Sequence, residues 1–371
     1  MWKEYELGEL LTYEQPTPYI VESTDYSDSY KTPVLTAGKS FILGYTNEKK
    51  GVYTALPVII FDDFTTASQY VNFEFKVKSS AMKILTPNTA LVLPKFIYYR
   101  MQIIQFDSST HKRYWIQKYS KIKVPVPPLP DQERIVTRIE ELFSELDSGV
   151  ETLKKTKAQL AVYRQAVLHE IFGKFDEFCK INEICSHIVD CPHSTPKWVN
   201  TGKLCLRTTN FRRGYLDLSE PNYVSEETFA DRIKRLKPCE GDVLYSREGA
   251  ILGIACMVPK DVELCLGQRM MLLRAKENNS PYFIMHWLNS PYVTNYIKTI
   301  TGGSASPHVN VGDIKVQKIP KISLAEQKRA VAEIESRLSV CDSIEQTIDA
   351  ALQEAEALRQ SILKRAFEGG I

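Results

Sequence analysis

Two polar stretches of the chain carry side-chain types that contact nucleic acid. Residues 108–115 are Ser-Ser-Thr-His-Lys-Arg-Tyr-Trp, and residues 301–310 are Thr-Gly-Gly-Ser-Ala-Ser-Pro-His-Val-Asn. Basic, amide and hydroxyl side chains in such a loop can bond both phosphates and base edges. Each stretch alone is equally typical of a solvated loop. Both lie about 20 residues before a matching glutamine, Gln132 or Gln327, and this equivalence favours binding.

A set of candidate DNA contacts follows from the same chemistry. Arg can bind guanine and Asn or Gln can bind adenine through paired hydrogen bonds, whereas the same side chains on phosphates give uniform affinity. For Arg247 and Arg269, beside apparent strand ends, an ion-paired structural role is the open alternative. The candidates are Lys39, Tyr45, Thr65, Thr66, Lys112, Arg113 and Tyr114 in the first half, and Arg207, Asn210, Arg212, Arg213, Arg247, Gln268, Arg269, His308 and Asn310 in the second.

A metal-dependent nuclease is a competing interpretation. Asp62 or Asp63, followed by Glu74 and Lys76, has the order of carboxylates and lysine that could hold Mg²⁺ near a nucleophile. The same residues fit a strand from Val71 to Val77 whose charged side chains, Lys76 included, face solvent. The second half of the chain lacks the motif, which favours the strand.

Metal binding is a second competing interpretation. Cys185, His187, Cys191 and His193 supply four ligands within nine residues, but no Cys-x-x-Cys pair is present. Four ligands so close in sequence would crowd a tetrahedral site, so structural thiols and a turn are favoured. We predict no metal site. Methyltransferase, Walker and Gly-x-Ser-x-Gly motifs are also missing from the sequence, which favours a binding subunit over an enzyme.

The elements that position these residues occur twice. The segment that starts at Leu129 matches the segment that starts at Leu324 without a gap, at a shift of 195 residues, as far as Phe172 and Phe367. Upstream matches keep their order while the shift drifts, for example Ile59 to Phe61 with Val243 to Tyr245 at 184. A drifting shift indicates one duplicated fold with longer loops in the second copy, where specificity is expected to lie.

The two matching segments predict long helices. Apolar residues alternate at steps of three and four, which is typical of a coiled-coil seam. Each helix of roughly 40 residues would be about 60 Å long. Two separate dimerisation helices are the alternative to an antiparallel pair that spaces two modules. The predicted seam contains Ile139, Leu142, Leu146, Leu153, Leu160, Tyr163 and Val167 in the first helix, and Ile334, Ile344, Ile348, Leu358 and Ile362 in the second.

Composition sets mild limits. The 371 residues can form two ordinary domains, and the net charge of +2 requires any basic surface to be local. Apolar runs fall short of the roughly 18 residues of a membrane helix, and no signal peptide opens the chain. The first copy of the repeat contains none of the eight cysteines, since none precedes Cys179, and a disulfide framework would be expected in both copies. We therefore expect reduced thiols and a cytoplasmic protein.

The start of the first long helix resembles a known family. Residues 124–135, Val-Pro-Val-Pro-Pro-Leu-Pro-Asp-Gln-Glu-Arg-Ile, are similar to the proline-rich start of the spacer helix in specificity subunits of Type I restriction–modification systems, Pro-Pro-Leu-x-Glu-Gln-x-x-Ile. Asp131 stands in place of the usual Glu, and residues 321–323 replace the prolines in the second copy. These departures weaken the helix-start match slightly and leave the architecture intact.

The globular modules resemble the same family. Residues 32–39 with 59–64 are similar to one common type of its target-recognition domain, and residues 190–196 with 241–244 and the loop 301–303 are similar to another. The likeness covers nearly the whole chain. It implies an α+β chain with a pseudo-two-fold repeat, in which two antiparallel coiled-coil helices join two α/β recognition domains.

The resemblance also implies the organisation and the function. Target-recognition domains would occupy residues 1–125 and 176–318, and spacer helices residues 126–175 and 319–371. Such a chain reads a bipartite, asymmetric site in double-stranded DNA and is non-catalytic. Its partners would be two modification subunits, which use S-adenosylmethionine, and restriction subunits, which use ATP and Mg²⁺. A coiled-coil adaptor that reads no DNA is the alternative from another class.

Overall fold

A computed structural model describes residues 2–38, 40–107, 113–249, 251–301 and 307–370. The chain forms two compact units: unit 1 contains residues 1–153 and 349–371, and unit 2 contains residues 154–348. Each unit therefore holds one α/β module and half of each long helix. Within the described ranges, no helix is long and apolar enough to cross a membrane.

The module of unit 1 is built on a four-stranded antiparallel sheet. Its described elements are β1 (Lys3–Glu6), α1 (Leu7–Leu10), β2 (Leu11–Glu14), β3 (Thr32–Leu35), β4 (Ile42–Thr46), β5 (Val58–Asp62), β6 (Ser68–Val71), β7 (Lys76–Val77), β8 (Met82–Pro87), α2 (Pro94–Met101) and β9 (Lys123–Val126). The large sheet has the order β2-β8-β5-β6, and a smaller sheet has the order β4-β3-β7. The central strand β5 is apolar and buried from Val58 to Phe61. Its end therefore has a well-defined position in the core, to which the neighbouring loops can bond.

Two long helices alternate with the modules. They are α3 (Leu129–Phe172) and α9 (Leu324–Phe367), with 44 residues each. A capping box begins α9, since Ser323 and Glu326 accept from each other's backbone N–H groups. In unit 2 the helix halves run antiparallel: Lys157 and Arg164 pair with Glu345, while Glu170, further along α3, pairs with Arg337, earlier in α9. In unit 1 Asp147 pairs with Arg359.

The module of unit 2 repeats the plan of unit 1 with additions. Its described elements between α3 and α9 are β10 (Phe178–Lys180), α4 (Ile181–Ile184), β11 (Cys185–Asp190), β12 (Trp198–Val199), β13 (Lys203–Leu206), β14 (Tyr223–Val224), α5 (Glu226–Arg232), β15 (Val243–Ser246), β16 (Ala255–Met257), β17 (Leu264–Leu266), β18 (Met270–Ala275), α6 (Pro281–Leu288), α7 (Pro291–Thr301), α8 (Val311–Val316) and β19 (Lys318–Pro320). The main sheet has the order β11-β18-β15-β16, which matches β2-β8-β5-β6 strand for strand. The parallel pair β3 and β7 likewise recurs as β13 and β17. The predicted internal repeat is confirmed.

The predicted strand from Val71 to Val77 is wrong. Strand β6 ends at Val71, and β7 contains only Lys76 and Val77. Lys76 is buried instead of facing solvent, because its Nζ donates to the carbonyl oxygen of Lys50 at 2.7 Å and lies 2.7 Å from a carboxylate oxygen of Glu48.

The helix seam is only partly as predicted. Tyr163, Ile344 and Leu358 are 44%, 40% and 48% exposed, because a pair of helices covers only one face of each. Near the modules a third element shifts the buried face, so that Phe143 packs edge-on against Tyr99 of α2. Leu142, Leu146 and Leu153 are half-buried. Six seam residues are buried as predicted: Ile139, Leu160, Val167, Ile334, Ile348 and Ile362.

A buried glutamine ties each module to the start of a long helix. In unit 1 the Oε1 of Gln132 accepts from the backbone N–H of Leu93 at 2.8 Å, and its Nε2 donates to the carbonyl of Pro127 at 2.8 Å. In unit 2 Gln327 accepts from the backbone N–H of Ser280 at 2.7 Å and donates to the carbonyl of Ile322 at 3.2 Å. The glutamine thus satisfies backbone groups that precede α2 or α6 and the long helix.

We expect Gln327→Ala to lower the free energy of unfolding by about 2 kcal/mol, because the backbone N–H of Ser280 would be left buried without an acceptor. Gln346→Ala is the matched control, since Gln346 lies exposed on the same helix. Denaturant titration of the full chain measures both variants. Equal effects of the two substitutions would contradict the structural role of Gln327.

Candidate nucleic-acid interface

A buried arginine lies at the centre of the candidate site in unit 2. Arg247 follows β15 directly and is 5% exposed. Its Nε and Nη2 donate to the two carboxylate oxygens of Asp190, at 2.9 and 3.2 Å, and its Nη2 lies 3.1 Å from a carboxylate oxygen of Glu248. The guanidinium is fully engaged by these partners. Arg247 therefore has the structural, ion-paired role that was the alternative to DNA contact, and it is not among the proposed DNA contacts.

The backbone of Arg247 forms hydrogen bonds with two further loops. Its N–H donates to the carbonyl of Arg269 at 3.0 Å, and its carbonyl accepts from the N–H of Val309 at 2.9 Å. The side chains of Arg269 and His308 are exposed and flank Glu248, since Arg269 Nε lies 3.8 Å from its carboxylate and His308 forms a β-bridge with it. The structure therefore brings Arg269 and His308 to one place.

Gln268 and Asn310 lie at the edges of this group. The Nε2 of Gln268 donates to the carbonyl of His193 at 2.6 Å, which joins the turn before β18 to the loop after β11. Asn310 is exposed at the start of α8, where its Nδ2 donates to Asp313 at 3.2 Å. Both side chains remain accessible, so both residues stay among the proposed contacts.

The next three candidates, Asn210, Arg212 and Arg213, lie in the turn after β13 and differ in their exposure. Asn210 is 5% exposed, with its Oδ1 accepting from the N–H of Arg207 and its Nδ2 donating to the carbonyl of Asp217. These bonds hold the turn, so the amide of Asn210 is not free to reach a base, and we remove it from the set. Arg212 donates to the Asp217 carboxylate at 2.8 Å and is half-exposed. Exposed Arg213 donates to the carbonyl of Asn289 at 3.2 Å.

Arg207 offers a different kind of surface. Its exposed guanidinium lies 4.2 Å from the ring centroid of Trp198, on β12. Stacking against an aromatic face fixes the plane of a guanidinium while its N–H groups remain available to a partner. Arg207 therefore has the geometry of a preorganised basic contact.

In unit 1 the candidates are less completely described. Lys39 and Lys112 lie outside the described residues, as do residues 108–111 of the first polar stretch and 302–306 of the second. Tyr114 is 2% exposed and packs on Phe106, so it belongs to the core because its ring is covered, and we remove it from the set. The candidates that stay accessible are Tyr45 on β4, Thr65 and Thr66 in the turn between β5 and β6, and Arg113.

The anchor of unit 1 is Asp63, and we call Asp63 and Arg247 the anchor residues. The N–H of Asp63 donates to the carbonyl of Ala81 at 3.0 Å, and its carbonyl accepts from the N–H of Tyr114 at 3.0 Å. These are the two backbone bonds that Arg247 makes with Arg269 and Val309. The same strand end therefore holds the same two loops in both units.

The charge of the anchor is reversed between the units. The carboxylate of Asp63 lies 3.3 Å from the Nζ of Lys83, and both side chains are 1% exposed. Lys83 also donates a hydrogen bond to Gln15, the residue that follows β2. The equivalent strand of unit 2 is β11, which ends at Asp190. Sequence analysis missed Lys83, Gln15 and Asp190 as positioning residues. The shift of 184 pairs Asp63 with Arg247, and a shift of 188, found where residues 79–85 resemble residues 267–273, pairs Lys83 with Met271, so the sequence does contain a signal for the exchange.

The contacts of the predicted nuclease residues do not favour that interpretation. Asp63 pairs with Lys83, whereas Lys76 pairs with Glu48. The carboxylate of Asp62 accepts from the backbone N–H groups of two following residues and so closes a turn. The side chains of Asp62, Asp63 and Lys76 are thus committed to three separate structural contacts.

The two cysteines of this candidate metal set lie in the core of unit 2. Cys185 and Cys191 are 5% and 1% exposed. Burial raises the pKa of Cys185 to about 12 and also raises the pKa of Cys191, which disfavours the thiolate that a metal would need. Among the residues that the structure describes, no group of three or more His, Cys, Asp or Glu side chains is arranged to hold a metal.

We expect Arg247→Ala to lower the free energy of unfolding by about 3 kcal/mol, because it leaves the Asp190 carboxylate, 18% exposed, without its counter-ion. Arg269→Ala is the matched control: its side chain is 60% exposed, so a change within about 0.5 kcal/mol is expected. Denaturant unfolding of the full chain measures both. A larger effect in the control would show that Arg247 does not anchor the site.

Comparison with known proteins places the chain in one family. The sequence matches the family model described as Type I restriction modification DNA specificity domain at residues 1–160 and 178–354. It is 34% identical over 371 residues to the Type I restriction enzyme EcoR124I/EcoR124II specificity subunit of Escherichia coli, covering 95% of this chain and 90% of that protein. It is 21% identical over 399 residues to the Type I restriction enzyme MjaVIII specificity subunit of Methanocaldococcus jannaschii, covering 100% and 93%.

The fold agrees with the sequence comparison. A chain from a solved structure that describes the complex assembly and conformational transition of the type I R-M system superposes with a TM-score of 0.69 at 17% identity, covering 100% of this chain and 98% of that one. Matches to the family model extend over both halves of the repeat. The chain therefore belongs to the family of Type I restriction modification DNA specificity domains.

Proposed function

We propose that this chain is the DNA sequence-specificity subunit of a Type I restriction–modification complex and that each unit reads one half of a bipartite, asymmetric site. The observation that carries the proposal is the repeated anchor. In both units a strand end bonds the same two loops, while the exposed side chains on those loops differ. One frame with two different sets of contacts suits a ligand with two different halves.

The proposed DNA contacts are the accessible members of the predicted set. Arginine, histidine and amide groups can discriminate bases in the major groove, whereas hydroxyl and tyrosine groups more often bond phosphates or sugars. Lys39 and Lys112 are retained from the sequence prediction. The others are Tyr45, Thr65, Thr66 and Arg113 in unit 1, and Arg207, Arg212, Arg213, Gln268, Arg269, His308 and Asn310 in unit 2.

The chain itself is proposed to be non-catalytic. Two modification subunits would supply S-adenosylmethionine chemistry, and restriction subunits would supply ATP- and Mg²⁺-dependent steps, in the cytoplasm. The E. coli relative named above is a restriction-enzyme specificity subunit, which supports this division of labour. Supporting it further, the anchor residues of both units are engaged in structural contacts rather than in an open reactive centre.

Exposed apolar residues on the long helices support docking of a partner subunit. Val340 and Leu358 of α9 are 58% and 48% exposed. In unit 1, Leu358 borders a groove of about 520 Å³ that is otherwise lined largely by small and apolar side chains, among them Gly149 and Ala355. Small side chains let a partner helix approach closely, and burying the apolar face would stabilise the complex.

We expect Leu358→Glu to weaken co-purification with the modification subunit, because a carboxylate in the groove must be desolvated when a helix covers it. Gln353→Glu adds the same charge at an exposed position of the same helix and should leave the complex at one specificity subunit to two modification subunits. Size-exclusion chromatography with mass determination reads the stoichiometry. Unchanged assembly of the Leu358 variant would remove this groove from the interface.

We expect His308→Ala combined with Asn310→Ser to relax or abolish recognition of one half-site while the other is still read, because both residues lie in unit 2. Serine keeps the helix-capping capacity at position 310. Removing one side chain that bonds a base should cost about 1–3 kcal/mol of discrimination. Exposed Lys315→Ala on α8 is the control. The measurement is the set of sites methylated by the co-expressed complex, and equal effects on both half-sites would refute independent reading.

The adaptor alternative makes a different prediction. An adaptor that only joins proteins would leave no footprint on DNA. A nuclease footprint of the complex on genomic fragments should show two protected half-sites separated by unspecified bases if the specificity function is correct. Uniform cleavage across the fragments would favour the adaptor.

A further inference from the structure

The loop after β11 presents an exposed histidine on a buried polar frame. The side chain of His193 is 66% exposed, and its Nε2 lies 3.0 Å from the Oδ2 of Asp190. Asp190, 18% exposed, is held in turn by the anchor residue Arg247 through both carboxylate oxygens. The imidazole is therefore directed by a chain of contacts that ends inside unit 2.

The backbone of this loop is held from a second side. Arg232, 5% exposed, donates to the carbonyl of Ser194 and to the carbonyls of Leu266 and Gly267 at 2.8 and 3.0 Å. Gln268 donates to the carbonyl of His193 itself. A buried guanidinium is costly unless its donors are satisfied, and here these hydrogen bonds fix the loop against the turn before β18. The backbone that carries the exposed ring is thus held by hydrogen bonds from Arg232 and Gln268.

The contact with Asp190 indicates which nitrogen of the His193 ring carries the proton. A carboxylate only accepts hydrogen bonds, so Nε2 is the nitrogen that carries the proton. In the neutral imidazole Nδ1 is then an acceptor that faces away from Asp190. In the major groove the donors that match an acceptor are the exocyclic amino groups of adenine and cytosine.

His193 also lies beside the proposed contacts of unit 2. Gln268 bridges it to the turn that carries Arg269, and Arg247 bonds both Asp190 and the backbone of Val309, next to His308. The three exposed side chains His193, Arg269 and His308 are therefore mounted on one anchor. His193 supplies the group with an acceptor, where Arg269 supplies donors.

We propose that His193 is a specificity-determining residue of unit 2, which accepts a hydrogen bond through Nδ1 from the amino group of an adenine or cytosine in the half-site. The proposal rests on the function proposed above and assigns one base pair of that half-site to one side chain. Asp190 sets the tautomer and the direction of the ring.

The test uses the chain co-purified with its modification subunits and a duplex DNA library with both half-sites randomised. His193→Ala is expected to reduce the preference at one base pair of a single half-site by about 2- to 12-fold, the range expected when one neutral hydrogen bond is removed. His193→Asn is expected to restore much of the preference, because the amide oxygen can take the place of Nδ1. His187→Ala, an exposed histidine on β11 outside this loop, should leave every preference unchanged.

Several outcomes overturn the inference. Unchanged preferences in His193→Ala, or a uniform fall in affinity for all sequences, would show that the ring does not read a base. The same holds if the Asn variant behaves as the Ala variant while the melting temperatures of both equal that of the unsubstituted complex. If the unsubstituted complex selects no half-sites from the library, the proposed function fails instead, independently of His193.

Discussion

A buried charge at the end of one strand controls the geometry of each recognition surface. The anchor residue must be neutralised inside the protein, and its backbone must bond two loops at the same time. Asp63 meets this requirement with Lys83, and Arg247 meets it with Asp190. A buried ion pair contributes little net stability, but removing either partner is costly. We therefore expect its main effect to be on which arrangement of the loops is favoured.

The exchange of charge between the units shows which part of the frame is constrained. The sign of the anchor differs between the units, and in each unit another strand of the same sheet supplies the opposite charge or ends at the residue that does. Lys83 lies on β8 in unit 1, whereas Asp190 ends β11 in unit 2, so the counter-ion comes from different strands. What both units retain is the pair of backbone bonds at the strand end. Backbone bonds do not depend on side-chain identity, so the loops can diverge in sequence while their placement is kept.

Much of the frame follows from the sequence, because it rests on patterns with a period. The two long helices and the repeat itself obey such patterns. The contacts of single side chains have no period. Nothing in the sequence around Tyr114 or Asn210 distinguishes a residue that covers the core or closes a turn from one that faces a ligand. Burial of these residues depends on Phe106 and Asp217, which local patterns do not select. The seam of the long helices shows the same limit, since Leu358 fits the heptad pattern and stays exposed.

The buried glutamines hold the joint between each module and a long helix, and this joint is separate from the loops that carry the proposed DNA contacts. Gln132 and Gln327 bond groups near the start of a long helix and just before α2 or α6. Their hydrogen bonds do not involve the loops that carry the proposed DNA contacts. Because the helix-to-module joint and the loop anchor use different residues, a substitution in a loop leaves the joint intact. Under the proposed function, this separation would let the bases that are read change while the proposed docking surface for partner subunits is kept.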